Sequence, residues 1–261
     1  MSSTSLPVFG EVVAPAQWRA IDFISDLHLA TDTPRSFDAW SQYMLETRAD
    51  AVFILGDLFE LWIGDDSRFE GFDASCADVL TRAAGSRTVA FMVGNRDFMV
   101  GAEMLAACGV QPLADPSVVS AFGERVLLTH GDALCLADTD YQRFRATVRN
   151  PAWQAAALAK PLAERRTIAR QYRHASEQRH GSMLPAAMDL DLRASVAWMN
   201  AAESPVLVHG HTHRPADQLM QPGRMRHVLS DWDLESSDAP RAEVLRWTAD
   251  GMQRIHPDTA G

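Results

Sequence analysis

Five short apolar runs, each stopped by Gly, Asp, Asn or His, constrain this chain more than any other feature. They are Ala20 to Ile24, Ala51 to Leu55, Thr88 to Val93, Arg125 to Thr129 and Pro205 to Val208. Runs this short and this rich in Val, Ile, Leu and Phe read as strands buried on both faces. Between the first four lie segments of helical spacing, Phe37 to Arg48 (with Phe37, Trp40, Tyr43 and Met44 along it) and Ala74 to Ala84. Strands alternating with helices predict a layered α/β fold. The stretch Pro7 to Pro15 and the last few residues are expected to be loose ends.

Composition narrows the classes. The 261 residues carry 24 Lys plus Arg against 34 Asp plus Glu, a net charge of −10, which argues against a generally basic nucleic-acid binder. With 47% hydrophobic and 22% charged residues the chain is neither disordered nor fibrous, and its length fits one large domain, expected over residues 18–245. No apolar run approaches the roughly 18 residues of a spanning helix, and the first twenty lack a basic start followed by an apolar stretch. A soluble, unexported protein is expected. Cys76, Cys108 and Cys135 are far apart and in no CxxC spacing, so neither a disulfide framework nor a thiolate zinc site is indicated.

The residues just after each strand carry the chemistry. Ile24 leads into Ser25-Asp26-Leu27-His28, Leu55 into Gly56-Asp57, and Val93 into Gly94-Asn95-Arg96-Asp97; Thr129 leads into His130-Gly131-Asp132, and Val208 into His209-Gly210-His211-Thr212-His213. Singly, each block has an ordinary reading as a turn or helix cap. Together they place metal ligands at five strand ends, where α/β sheets gather their sites. Asp26, His28, Asp57, Asn95, His130, His211 and His213 are too many for one ion that must also bind substrate. They suit two divalent ions with a bridging carboxylate, the arrangement that clamps the oxygens of a phosphate ester. Imidazole mixed with oxygen ligands points to manganese, iron or zinc, and Mn²⁺ is the expected ion. His209 is the histidine of its block assigned to support rather than ligation, because His211 and His213 share a face of an extended segment.

One segment departs from the acidic average. Ala137 to His180 holds nine Lys or Arg and four Asp or Glu, a local balance of +5. Tyr141, Phe144 and Val148 fall at i, i+3 and i+7, with Trp153 and Leu158 beyond. The segment reads as part of a mostly helical insertion, about 137–200, forming a basic, apolar cap. Such a cap would lie over what the strand ends bind, with Arg165, Arg166 and Arg170 contributing charge.

The blocks DxH, GD, GNxD, HG and GHxH resemble the calcineurin-like metallophosphoesterase superfamily. That resemblance implies a four-layer αββα sandwich, with Asp26, His28, Asp57 and His213 on one ion and Asp57, Asn95, His130 and His211 on the other. The longer stretches SDLHL, ILGDLFELWIGDD, GNRDFMVG, LLTHGDALC, DTDYQRFRATVRNP and HGHTHRP are similar, from about Ala20 to His227, to the UDP-2,3-diacylglucosamine pyrophosphatases of lipid A biosynthesis. The implied reaction is water attack, activated by two metal ions, on the uridine-proximal phosphorus. It gives UMP and 2,3-diacylglucosamine 1-phosphate (lipid X). The implied place is the cytoplasmic face of the inner membrane, held peripherally, where a basic, apolar cap suits acyl chains beside an anionic membrane surface, with no nucleic acid and no obligate protein partner. The family's substrate contacts carry over to Asn95, Arg96, Asp138, Ser176 and His211. His180 and Met183 stand where the family has Asn or a similar polar residue and Lys, and Arg173 or Arg179 can supply the missing charge. A phosphoesterase of the same fold acting on another phosphate ester or a dinucleotide is the alternative.

Position 96 discriminates between them. Many relatives in the wider superfamily have His there, able to protonate an alkoxide leaving group, and arginine cannot be a general acid near neutral pH. A sugar 1-phosphate, whose second pKa is about 6, needs no such acid. It needs charge neutralised, which a guanidinium fork does well. Arg96, Asp57 and Asn95 are therefore the expected catalytic residues; the competing reading pairs Arg96 with Asp97 or Asp132.

Overall fold

The computed structural model describes residues 6–261 except 181–188, and for 172–180 the backbone alone. Twelve strands form two six-stranded sheets among the described residues. One sheet runs β12-β11-β2-β3-β4-β5, with β2 Ala20–Ile24, β3 Ala51–Leu55, β4 Thr88–Met92, β5 Gln111–Pro112, β11 Val244–Thr248 and β12 Gly251–Ile255. The other runs β1-β6-β7-β8-β10-β9, with β1 Gly10–Val13, β6 Ser117–Ala121, β7 Glu124–Thr129, β8 Val206–His209, β9 Ala216–Gln221 and β10 Arg224–Val228.

The continuous apolar runs are explained by burial on two sides with period two. In β3, Ala51, Phe53 and Leu55 enter the core between the sheets, where they join Phe23, Val119, Val126, Leu128, Val208 and Trp247. Val52 and Ile54 face the other way, into a core with Trp40 and Met44 of α1 (Pro34–Glu46), Leu80 of α2 (Gly71–Ala84) and Met104 of α3 (Ala102–Cys108). On the far side, Val118, Leu127 and Leu207 pack on Met199 of α7 (Leu192–Ala201). The layers are thus helix, sheet, sheet, helix, the αββα sandwich. Strands β2, β3 and β4 are mutually parallel, as are β7 and β8, so their carboxyl ends carry the ligand blocks.

Between β7 and β8 the chain makes α4 (Thr139–Val148), α5 (Pro151–Leu158), α6 (Leu162–His180) and α7. Of these, α7 packs on the second sheet.

Two expectations fail. Pro7 to Pro15 is not loose: β1 pairs in parallel with β6, Val12 opposite Val119. Nor is the end, where the Ala260 carbonyl accepts from Arg48 N and from Arg246 Nη2, both at 3.0 Å. Proline at both flanks of a short apolar run marked an edge strand, where a missing donor costs nothing.

Candidate metal centre

The loops after the strands are bent in a way that side chains resist. Seven non-glycine residues among those described have positive φ, and five of them are Asp26 (55°), His28 (50°), Asp57 (53°), His211 (68°) and His213 (51°). The left-handed conformation costs an L residue about 1–2 kcal/mol, and such strain persists only where the surroundings over-determine it. Here they do. Asp26 N donates to Gly56 O at 3.1 Å and His28 N to Asp57 O at 3.0 Å, laying the first loop along the second. Asp97 accepts from Gly94 N (2.7 Å), Leu58 N (2.8 Å) and Asp57 N (3.3 Å), tying the second loop to the third. Asp26 accepts from His211 N at 2.9 Å and so ties in the fifth. Glycine is required at two close approaches, since a Cβ on Gly94 would collide with the Asp57 carboxylate and one on Gly210 with that of Asp26.

These bends bring all seven ligand candidates together. On one side, His28 Nε2 and His213 Nε2 are 3.1 Å apart and His213 Nε2 is 3.5 Å from Asp26 Oδ1. On the other, Asn95 Oδ1 lies 2.9 Å from His130 Nε2 and 2.8 Å from His211 Nδ1. Asp57 stands between them, with Oδ2 at 3.9 Å from His28 Nε2 and 3.7 Å from His130 Nε2. Its Oδ1 accepts from Arg96 N at 2.8 Å. Asp26, His28 and His213 form one group able to hold a metal ion, and Asp26, Asp57 and His130 another. Asp26 thus belongs to both groups.

The electrostatics are those of a cation site. Burial disfavours charge on His130, yet Asp57, Asp26 and Asp132 outweigh it and lift the imidazole to about 9. Burial likewise opposes the charge on Asp26, but the hydrogen bond and charge of His213, helped by His130 and His28, hold its carboxyl well below the usual range. His211, buried beside His130, is depressed to about 3 and stays neutral. Carboxylates that force a proton onto a buried imidazole mark excess negative potential, and hard oxygens beside neutral imidazole fit a divalent transition ion.

Several supporting residues carry no signal in the sequence. Glu60 places Oε2 2.9 Å from His28 Nδ1. Asp231 Oδ2 lies 3.5 Å from His213 Nδ1 and is itself gripped by Arg241. His130 Nδ1 lies 2.8 Å from the Leu55 carbonyl. His209 points away from the cluster, its Nε2 accepting from Arg226 Nε at 2.8 Å, and burial with the Arg226 charge depresses it to about 3. Carboxylates or carbonyls behind ligating histidines set tautomer and orientation.

Known proteins resemble this chain over most of its length. The family model for calcineurin-like phosphoesterases matches residues 20–215. This chain belongs to the calcineurin-like phosphoesterase family. It is 47% identical over 220 residues to the UDP-2,3-diacylglucosamine hydrolase of Chromobacterium violaceum, covering 82% of this chain and 90% of that one. To the Bordetella pertussis protein of the same name it is 41% identical over 237 residues, covering 88% and 92%. To that of Stenotrophomonas maltophilia it is 40% identical over 253 residues, covering 89% and 98%.

In this phosphoesterase Arg96 pairs neither with Asp97 nor with Asp132. Its Nη1 donates to Glu60 Oε1 at 3.2 Å, on the rim of the ligand cluster. Asp132 is buried and accepts instead from Tyr141 Oη at 2.5 Å and Arg145 Nε at 2.8 Å. Asp138 caps α4, accepting from Tyr141 N at 2.9 Å. Ser176 and His180, with Arg173 and Arg179, lie in the part of α6 described by its backbone alone, and Met183 lies outside the described residues.

Several side chains of the insertion make contacts inside the molecule. Val148 is buried, Tyr141 is spent on Asp132 and lies 5.9 Å from the His211 ring, and Trp153 packs on Phe98 at 6.2 Å. Arg165 is buried and forks onto Asp66 while donating to the Ile63 carbonyl, and Arg166 pairs with Glu70 at 3.1 Å. Tyr141 thus ties α4 to the centre, and Arg165 and Arg166 hold α6 to the loop after β3.

Proposed function

We propose that this phosphoesterase hydrolyses the diphosphate of UDP-2,3-diacylglucosamine to UMP and 2,3-diacylglucosamine 1-phosphate, using two divalent ions, physiologically Mn²⁺. The observation that carries the reading is Asp57 standing between two sets of ligands with the Arg96 backbone N–H on its other oxygen. The names of relatives of 40–47% identity over most of both chains point the same way.

Asp26, His28, Asp57 and His213 would hold one ion and Asp57, Asn95, His130 and His211 the other. Bound there, the ions would polarise the phosphoryl oxygens and acidify water. The chain's own part is orientation and charge. Asn95 Oδ1, held between His130 and His211, fixes those rings relative to each other. Arg96 presents its remaining N–H donors to the non-bridging oxygens and balances charge on a phosphate leaving group that departs without a proton. Asp97 keeps the Asp57 and Gly94 loops in register throughout. Asp138, Ser176, His180 and His211 complete the proposed substrate contacts.

The insertion, about 137–200, acts as the lipid-facing cap and attaches the enzyme peripherally to an anionic inner-membrane surface. No helix is long and apolar enough to cross a membrane among the described residues. Arg145, Arg149, Arg165 and Arg166 are drawn into internal contacts, so attachment also draws on exposed apolar groups, Leu158 of the insertion and Phe69 in the loop after β3.

UMP release from the diacylated substrate tests the reading. The purified protein should release UMP, stop with EDTA and recover best with Mn²⁺, while UDP-N-acetylglucosamine is cleaved poorly. Equal turnover of the acyl-free sugar or of dinucleoside polyphosphates would hand the site to a different substrate.

A further inference from the structure

Glu60 lies three residues beyond Asp57, where nothing in the proposed reaction requires an acid. It is not there for packing, since it is a mostly buried carboxylate on the rim of a metal centre. Its backbone is locked: Glu60 N donates to Leu29 O at 3.1 Å, beside a bridge between Leu29 and Phe59. Its two oxygens face two different functional groups. Oε2 lies 2.9 Å from His28 Nδ1, close in distance though not aligned as a hydrogen bond, and Oε1 accepts from Arg96 Nη1 at 3.2 Å. The nitrogen of His28 on the opposite edge, Nε2, is the one that faces His213 and Asp57.

We infer that Glu60 is a positioning residue that couples one metal site to the phosphate-binding arginine. A carboxylate 2.9 Å from His28 Nδ1 favours, by its charge, the tautomer with the proton on that edge, which leaves Nε2 free to ligate. The same carboxylate holds one arm of a flexible guanidinium, so the remaining donors of Arg96 point into the site without an ordering cost when the anion arrives. Because a single rigid group serves both, the orientation of Arg96 is linked to that of a metal ligand. This rests on the ligand and Arg96 roles proposed above.

Two binding measurements on the full chain test it, both independent of turnover. The first is Mn²⁺ titration by calorimetry. Glu60→Gln should weaken one of the two Mn²⁺ sites by about 10- to 100-fold, the usual cost of losing such a partner, whereas Arg96→Ala should change neither. The second is binding of inorganic phosphate at saturating Mn²⁺. Glu60→Gln and Arg96→Ala should each weaken it, and the double variant should be little worse than Arg96→Ala alone, because the two act through one arm. Glu60→Asp keeps the charge but cannot reach both partners, so it should recover at most one readout, and it carries the test if the Gln variant does not fold. Unchanged Mn²⁺ affinity in folded Glu60→Gln, or additive losses in phosphate binding, would overturn the coupling. Failure of the substrate proposal would appear separately, as absent UMP release from a wild-type protein whose Mn²⁺ and phosphate binding still respond to Glu60.

Discussion

The strand-end centre and the helical insertion are built by opposite means. At the centre, five of the proposed ligand residues adopt a backbone conformation that costs free energy, and buried carboxylates stitch the loops from behind. In the insertion the local geometry is ordinary and little is buried: α5 buries no side chain and α4 only Val148. What fixes it is a few polar anchors, namely Tyr141 and Arg145 on Asp132, Arg149 on the Gly94 carbonyl at 2.8 Å, and Arg165 on Asp66. The centre is over-determined and should resist change until a key group is lost. The insertion is determined by single contacts and should loosen one anchor at a time.

Four substitutions or conditions probe that contrast. Asp57→Ala removes the carboxylate between the two ligand sets, so activity should fall by more than about 10³-fold with loss of both ions, as seen by metal analysis and UMP release. More than a few per cent activity with metal still bound would mean that the centre does not depend on a shared ligand. Arg96→Lys keeps the charge but loses the planar fork; kcat should fall about 10²- to 10³-fold with metal content intact. Wild-type kcat in Arg96→Ala would remove the arginine from the mechanism.

Asp66→Ala breaks an anchor of the insertion and leaves the centre alone. KM for the diacylated substrate should rise about tenfold and α6 should become cleavable by protease, with Mn²⁺ affinity unchanged. A drop in Mn²⁺ affinity would show that the two regions are not separable.

The last probe is pH. His130 is raised to about 9 by its carboxylate neighbours, so at pH 7 the metal-free centre holds a proton there. Metal must expel that proton, so Mn²⁺ affinity should rise by up to about tenfold per pH unit until pH 9 and level off above it. Calorimetry in buffers of different ionisation enthalpy should find about one proton released per chain at pH 7, and no release would contradict the raised imidazole.

The same contrast explains what could be read from the chain alone. Strands β2, β3, β4, β7 and β8 were legible because burial on both faces leaves an unbroken apolar run, and each run ends in polar side chains that have no business in a core. Strands β9 and β12 were not, since Ala-Asp-Gln-Leu-Met-Gln and Gly-Met-Gln-Arg-Ile carry no clear alternation. Glu60, Asp231 and Arg226 escaped because their roles depend on what lies behind a histidine in space. In α4, spacing showed that a face was covered but not by what: Tyr141 reaches Asp132 and the His211 ring, and Val148 is buried. Counting arginines gave the insertion its basic charge, yet Asp66, Glu70 and Asp132 of the surrounding loops take up much of it.

Anomalous diffraction from crystals grown with Mn²⁺ tests the shared-carboxylate centre most directly. Two peaks about 3.5 to 4 Å apart should flank Asp57, one against Asp26, His28 and His213 and the other against Asn95, His130 and His211. A single peak, or two that leave Asp57 unshared, would contradict the two-metal centre on which the proposed hydrolysis depends.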